Sequence, residues 1–262
     1  FNNGSGFTIN DACIVYDILI QSDGKIVIGG SLSVYNGSSQ GGLIRLLSDG
    51  IFDATFNGGQ GVIGTVYSIN IDSNNKLIIG GNYKGYQKNY LQPIRYNKRY
   101  LMRLNHDGLI DENFITVKGF DEKIKTIKLQ LDGKLLIGGG YYSYNRVLRN
   151  KLSRLNNNGE IDNSFNIGSG FNEEIETIEV TPNGKIFVGG QFTNFNGNSE
   201  NRLIKLNENG TIDNSFNIGN GFNENVLCIA LQQDGKILVG GWFTQFNGVN
   251  KNFIARLNSD GS

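Results

Sequence analysis

The string Gly-Lys-apolar-x-apolar-Gly-Gly recurs five times along the chain. Its lysine is Lys25, Lys76, Lys134, Lys185 and Lys236, with Asn75 replacing the glycine before Lys76. The intervals are 51, 58, 51 and 51 residues. A second marker, the basic residue of an Arg-Leu or Lys-Leu pair, falls at Arg45, Arg103, Arg154, Lys205 and Arg256, at intervals of 58, 51, 51 and 51. One seven-residue insertion in the second unit reconciles the two series. A fixed period of this length means that one supersecondary unit is copied and that neighbouring copies bury each other's apolar faces.

Each unit reads as four short strands. In the fourth copy Glu176-Thr177-Ile178-Glu179-Val180 alternates, as do Ile18/Ile20, Ile69/Ile71, Ile127/Leu129 and Ile229/Leu231 in the others, so one face is expected to be buried. Lys185 to Gly190 is nearly all apolar, as in a strand covered on both faces. Leu203 to Leu206 forms the third strand and a short fourth runs from Ile212 to Phe216, matched by Phe56, Phe114 and Phe165. No segment sustains a helical period. The expectation is an all-β chain, a β-propeller of five blades with four antiparallel strands each. A β-solenoid has shorter coils with one or two strands per rung, which fits the unit length less well.

The whole chain, 1–262, reads as one such domain, with residues 1–7 completing the last blade. Phe1-Asn2-Asn3-Gly4-Ser5-Gly6-Phe7 matches Phe216 to Phe222, the end of a unit, while the chain stops inside a unit. The alternative is a fragment of a larger propeller or repeat array. An opening Phe1 in place of Met points to a portion of a longer polypeptide.

Lys plus Arg and Asp plus Glu number 24 each, a balance that provides no global attraction to nucleic acid or an anionic membrane, so neither is an expected partner. No apolar run reaches the ~20 residues of a membrane-spanning helix. The two cysteines, Cys13 and Cys228, lie near opposite ends and form no Cys-x-x-Cys motif, which argues against a zinc or redox site. They read as free buried thiols or as a closing disulfide.

The string Leu231-Gln232-Gln233-Asp234-Gly235-Lys236-Ile237-Leu238-Val239-Gly240-Gly241, followed by Phe243-Thr244 and then by Ala255-Arg256-Leu257-Asn258-Ser259-Asp260-Gly261-Ser262, resembles the delta-60 repeat of bacterial β-propeller proteins. The resemblance covers essentially the whole chain; the second unit departs from it with Asn74-Asn75 and a lengthened loop. It implies an extracellular or cell-surface setting, with the surface of a virion as the alternative. It transfers no catalytic residue.

Other motifs are expected to be structural. The Gly-Lys turns open strands, whereas a phosphate-binding loop precedes a helix. Aligning Gly210 with the sixth position of a calcium loop puts Lys205 and Phe216 where carboxylates are required. Asp53, Asp111, Asp162 and Asp213 read as turn acceptors. The single histidine, His106, sits in a turn. No cofactor, metal or catalytic centre is expected, and the chain does not read as an enzyme, although five-bladed propellers with convergent axial carboxylates exist.

The irregular segments carry the functional reading. The basic, tyrosine-rich insertion supplies Tyr86, Tyr90, Arg95, Tyr96, Lys98 and Arg99, and the equivalent loop of the third unit supplies Tyr141, Tyr142, Tyr144, Arg146 and Arg149. Tyrosine offers rigid contact area and arginine forked donors, a pairing enriched at binding hot spots. These residues are expected to form one patch for a glycan or protein partner, of acidic character. The expected function is a non-catalytic recognition or structural module of a surface, secreted or virion-tail protein. A lectin with one sugar site per blade, built on Tyr35-Asn36-Gly37, Phe195-Asn196-Gly197 and Phe246-Asn247-Gly248, is the alternative, and a carbohydrate-active enzyme a further one. Trp242 marks either a pocket or a packing position.

Overall fold

A computed structural model describes residues 4–7, 13–32, 34–36, 38–39, 41–56, 61–87, 93 and 99–262. The chain divides into two compact units, residues 1–129 with 144–146 and residues 130–143 with 147–262. Every element among the described residues is a strand. The first unit holds two antiparallel three-stranded sheets, Ile14–Ile20 with Ile26–Ser31 and Leu43–Leu46, and Gly61–Ile71 with Leu77–Gln87 and Leu101–Leu104. It also contains the strand Ile124–Leu129. The second unit pairs Leu135–Gly139 with Leu152–Leu155 and holds the sheets Ile175–Val180, Ile186–Gly190, Leu203–Leu206 and Val226–Leu231, Ile237–Gly241, Ile254–Leu257.

Turn chemistry explains the first hairpin of each repeat. Gly24, Gly133, Gly184 and Gly235 have φ between 80° and 81°, and Asn75 takes the same place at 59° because asparagine tolerates the left-handed region. The central strand is buried on both faces, as its apolar run requires. The first strand does not follow simple alternation. A β-bulge between Ile175 and Thr177, repeated between Val66 and Ser68 and between Val226 and Cys228, re-aims the side chains. The buried pair is thus Ile175 with Ile178, three residues apart, while Val180 is only partly covered.

The fourth strand is reduced to a single antiparallel bridge: Leu46 with Phe52, Leu104 with Ile110, Leu155 with Ile161 and Leu206 with Ile212. It goes no further because the following aspartate turns the chain. In the second repeat Leu77–Gln87 is an eleven-residue strand whose ladder continues to the pair Gly61 and Gln87; residues 88–92 and 94–98 of the insertion lie outside the described ones. Of residues 1–7, residues 1–3 lie outside the described ones, and Gly4 to Phe7 are held by the hairpin of the first repeat. There Asn36 Oδ1 accepts the Gly6 amide at 2.8 Å and Phe7 bridges Tyr35.

At Gly29, Gly80 and Gly189 successive repeats pack through the first glycine of the Gly-Gly pair. A Cβ on Gly29 would lie 2.8 Å from Val66 and 2.9 Å from Ile69; one on Gly80 would lie 2.6 Å from Ile124, and one on Gly189 2.6 Å from Val226. Each glycine therefore receives the first strand of the following repeat. Gly189→Ala is expected to destabilise the protein by about 1–3 kcal/mol, because Val226, Thr177 and Ile229 are packed on every side of the added methyl. Denaturant unfolding checks this, with Gly184→Asn, which copies the second repeat's own turn, as the milder comparison.

Candidate functional site

In the first four repeats the recurring charged residues are occupied by one another. In the first repeat Asp53 Oδ2 accepts from Arg45 Nε at 2.9 Å and lies 3.8 Å from Lys25 Nζ. The counterparts are Asp111 with Arg103 at 2.7 Å and Lys76 at 2.8 Å, and Asp162 with Arg154 at 2.7 Å and Lys134 at 3.3 Å. In the fourth repeat Asp213 has Lys185 at 3.1 Å and Lys205 at 3.5 Å. The other carboxylate oxygen accepts the amide two residues on, from Thr55, Asn113, Ser164 or Ser215, as a turn acceptor should. The guanidinium then covers a phenylalanine ring three residues past the aspartate, Arg45 on Phe56 at 4.3 Å and Arg154 on Phe165 at 4.8 Å. Arg45 also donates to the His106 carbonyl and Arg154 to the Glu208 carbonyl, each at 2.6 Å in the following repeat's turn. The His106 side chain stays exposed.

Burial alone would raise the carboxyls of Asp53, Asp111 and Asp162. Turn amides and cationic donors, joined by the Thr55 hydroxyl at Asp53 and the Ser164 hydroxyl at Asp162, outweigh it and hold all three below the usual range. For Asp213 the Ser215 hydroxyl is the largest influence, followed against burial by Lys185, and the carboxyl is held at about 2. A depressed carboxyl stabilises the fold fully above its unfolded value of about 3.9 and ceases to do so as the pH falls through the folded value. Unfolding free energy is therefore expected to be level from neutral pH to about 5 and to drop between about 4 and 2. Asp213→Asn should weaken the protein at pH 7 by about 1–3 kcal/mol and flatten that acid limb. Calorimetry across pH checks both.

The hairpins show a second repeated device. Tyr35, Tyr86, Tyr144 and Phe195 occupy one equivalent position and are all buried. The hydroxyl of Tyr35 donates to the Gly50 carbonyl at 3.0 Å, that of Tyr86 to Gly108 at 2.8 Å and that of Tyr144 to Ile115 at 3.0 Å. The following asparagine adopts a left-handed conformation, φ 49° at Asn36 and Asn145, 54° at Asn196 and 51° at Asn247. Its Oδ1 caps the incoming strand through the amides of Gly6, Gly119, Gly170 and Gly221. The rings meet Phe7 edge-on and Phe120, Phe171 and Phe222 at a tilt, so in each described hairpin the aromatic is engaged with the incoming strand.

The expected binding residues separate accordingly. Tyr86 and Tyr144 are hairpin anchors, and Tyr141 is a core residue whose hydroxyl donates to the Ile137 carbonyl at 2.7 Å and meets Ser153 Oγ at 3.0 Å. All three are buried, and their hydroxyls bond within the scaffold. Tyr90, Arg95, Tyr96 and Lys98 lie outside the described residues. Arg99 and Arg146 are exposed in the first unit. Arg146 has φ 69° where Gly197 and Gly248 stand in later repeats, so Arg146→Gly is expected to raise stability by about 1 kcal/mol in thermal unfolding.

In the second unit Tyr142 is 55% exposed and its ring covers the ammonium of buried Lys151 at 3.4 Å. That lysine donates to the Gly140 carbonyl at 2.6 Å. Nearby in sequence, half-buried Arg149 lines a cleft of about 370 Å³ with Leu148, Asn150, Asn163, Phe165 and Asn166. An equivalent cleft of about 270 Å³ occurs in the fourth repeat, where Glu200 replaces Arg149 beside Asn214 and Asn217. Burial pushes the Glu200 carboxyl up. These clefts were not visible in the sequence, because their walls come from a hairpin and from the Phe-Asn-x-Gly segment of the same repeat. The exchange of Arg149 for Glu200 at one repeat position was the available signal. Cys13 and Cys228 are free thiols, half-buried and exposed respectively.

No curated protein matches this chain. Among solved structures the chain is similar to PorZ, described as an essential bacterial surface component of the type-IX secretion system of Porphyromonas gingivalis. The identity is 13%, the TM-score is 0.50, and the match covers 98% of this chain and 34% of that one. It is also similar to a protein of unknown function from Bacteroides caccae, at 13% identity and TM-score 0.48 over 97% and 81%. A third match is the extracellular domain of a putative hybrid two-component system of B. thetaiotaomicron, at 16% and 0.49 over 97% and 29%. The chain thus spans about a third or less of the first and third of these. The family model described as a domain of unknown function (DUF5122) beta-propeller matches residues 21–56, 130–165, 181–216 and 232–262. These matches cover just over half of the 262 residues and each contains the second and third strands of one repeat, so the chain belongs to the DUF5122 beta-propeller family.

Proposed function

We propose that this protein is a non-catalytic recognition module of a surface or secreted protein, built on repeats of the delta-60 type, that binds an acidic glycan or a protein through side chains the repeat does not use. The observation that carries this reading is the division of labour at the hairpins. In the first four repeats the shared aspartate, lysine and third-strand base are engaged with one another, whereas Tyr142, Leu148 and Arg149 differ between repeats and are turned to solvent or into a cleft. An aromatic ring held by Lys151 and a guanidinium beside two asparagines form a surface suited to a carboxylate-bearing sugar or peptide.

The likeness to PorZ supports an exported setting as well as the fold. Glycoside hydrolysis is less well supported, since it calls for two opposed carboxylates and the fourth-repeat cleft is lined by one, Glu200. The test is binding of the purified protein to an array of neutral and uronic-acid-containing oligosaccharides. A Tyr142→Ala/Arg149→Ala variant is expected to lose at least about tenfold in affinity for the acidic members, with unchanged unfolding temperature. Equal binding by the variant would remove this surface from the function.

A further inference from the structure

One position near the hairpin tip is held in the same way in three repeats and carries a different side chain in each. The backbone amide of Arg149 donates to the Tyr142 carbonyl at 2.8 Å, that of Glu200 to Thr193 at 3.1 Å and that of Lys251 to Thr244 at 2.9 Å. The scaffold therefore fixes where the side chain starts and leaves its chemistry open. Counted back from the third-strand base, the five residues are Gln40, Lys98, Arg149, Glu200 and Lys251, so the fourth repeat alone places an acid there.

That acid lines a cleft of about 270 Å³ built within the fourth repeat, and no lysine, arginine or histidine lines it. The Glu200 carboxylate is half-buried and, among the described residues, meets neither a hydrogen-bond donor nor a cation. Burial is the sole influence on it and pushes the carboxyl up. Covering an unpaired carboxylate costs free energy that a bound cation would return. The other polar groups are the Ser199 hydroxyl and the amides of Asn214 and Asn217, set over buried Phe216 and Ile218. Asn217 Oδ1 already accepts the Gly219 amide at 2.8 Å, which leaves its NH2 to donate.

These groups select among cations. A calcium ion asks for about six to eight oxygen ligands, and one carboxylate with no second acid falls short. A lysine side chain brings methylenes, which would leave the surrounding hydroxyl and amides unpaired. An amino sugar brings an ammonium for the carboxylate and hydroxyls that can accept from Asn217 and donate to Asn214. The volume lies just below the ~300 Å³ at which pockets for drug-sized ligands begin, which suits a single ring.

We propose that the fourth-repeat cleft is a site for a hexosamine with a free amine, its ammonium paired with Glu200 and its hydroxyls met by Asn214 and Asn217. This site is separate from the third-repeat surface of Tyr142 and Arg149, and each assignment can fail without the other.

The probes are the glucosamine tetramer of chitosan and the N-acetylated tetramer of chitin. Each is titrated into the full chain by isothermal titration calorimetry at about 0.15 M salt, where attraction between distant charges is screened. The free-amine tetramer is expected to bind with a dissociation constant of about 1 mM or below. The acetylated tetramer, and the free-amine tetramer with Glu200→Gln, should each bind at least about tenfold more weakly. Tyr142→Ala/Arg149→Ala should bind the free-amine tetramer as wild type does. Glu200→Arg, which copies the third repeat's own residue, should abolish binding and replaces Glu200→Gln if that variant loses the wild-type unfolding temperature. Absence of binding by wild type up to about 10 mM tetramer, equal affinity for the acetylated tetramer, or undiminished binding by the Glu200 variants would each overturn the proposal. Tighter binding of a lysine tetrapeptide than of the free-amine tetramer would also overturn it, in favour of a peptide site.

Discussion

The missing Cβ of a glycine is the constraint on which the stacking of repeats rests. Aliphatic atoms from the next repeat come within 2.6–2.8 Å of where that Cβ would stand at Gly29, Gly80 and Gly189. No other residue leaves that space. The second glycine of each pair serves a different need. At Gly30, Gly81, Gly190 and Gly241 a Cβ would lie 2.0–2.3 Å from a backbone carbonyl of the neighbouring first strand, beside its bulge. The doublet thus sets two distances at once, one between repeats and one between strands, and explains why it recurs as a pair.

Around that packing the charged residues act as internal ties. The aspartate after the third strand satisfies its own turn and gathers the strand-opening lysine and the arginine or lysine of the third strand, while Arg45 and Arg154 carry the connection into the following turn. Such buried pairs stabilise only when every donor and acceptor is met, and here the carboxylate takes cations on one oxygen and an amide on the other. Because these ties lie within the scaffold, the hairpin tips are free to vary. Arg149 and Glu200 stand at one position with opposite charge, on clefts of the same construction.

The tyrosines show how the repeat register sorts side chains that composition lumps together. The register places Tyr86 and Tyr144 on Tyr35, Phe195 and Phe246, a column of hairpin anchors whose alignment was legible in the sequence. Tyr141 shares a column with Tyr83, whose hydroxyl also donates to a carbonyl four residues earlier, at Ile79. Tyr142 and Arg149 fall in columns where the residue type changes from copy to copy, and these are the side chains left at the surface.

By itself the sequence determined the all-β class, the unit length, the strand order within a unit, the glycine turns and the aspartate caps, because each follows from local patterning that recurs from unit to unit. Only the tertiary structure decided which aliphatic side chains of the first strand are buried, since a bulge shifts the face they present. It also decided that the fourth strand shrinks to one bridge and that a tyrosine ring shields Lys151. The physical reason is common to these cases. Bulges, bridges and cation–ring contacts depend on atoms brought together from separate strands, and no period along the chain records which of them meet.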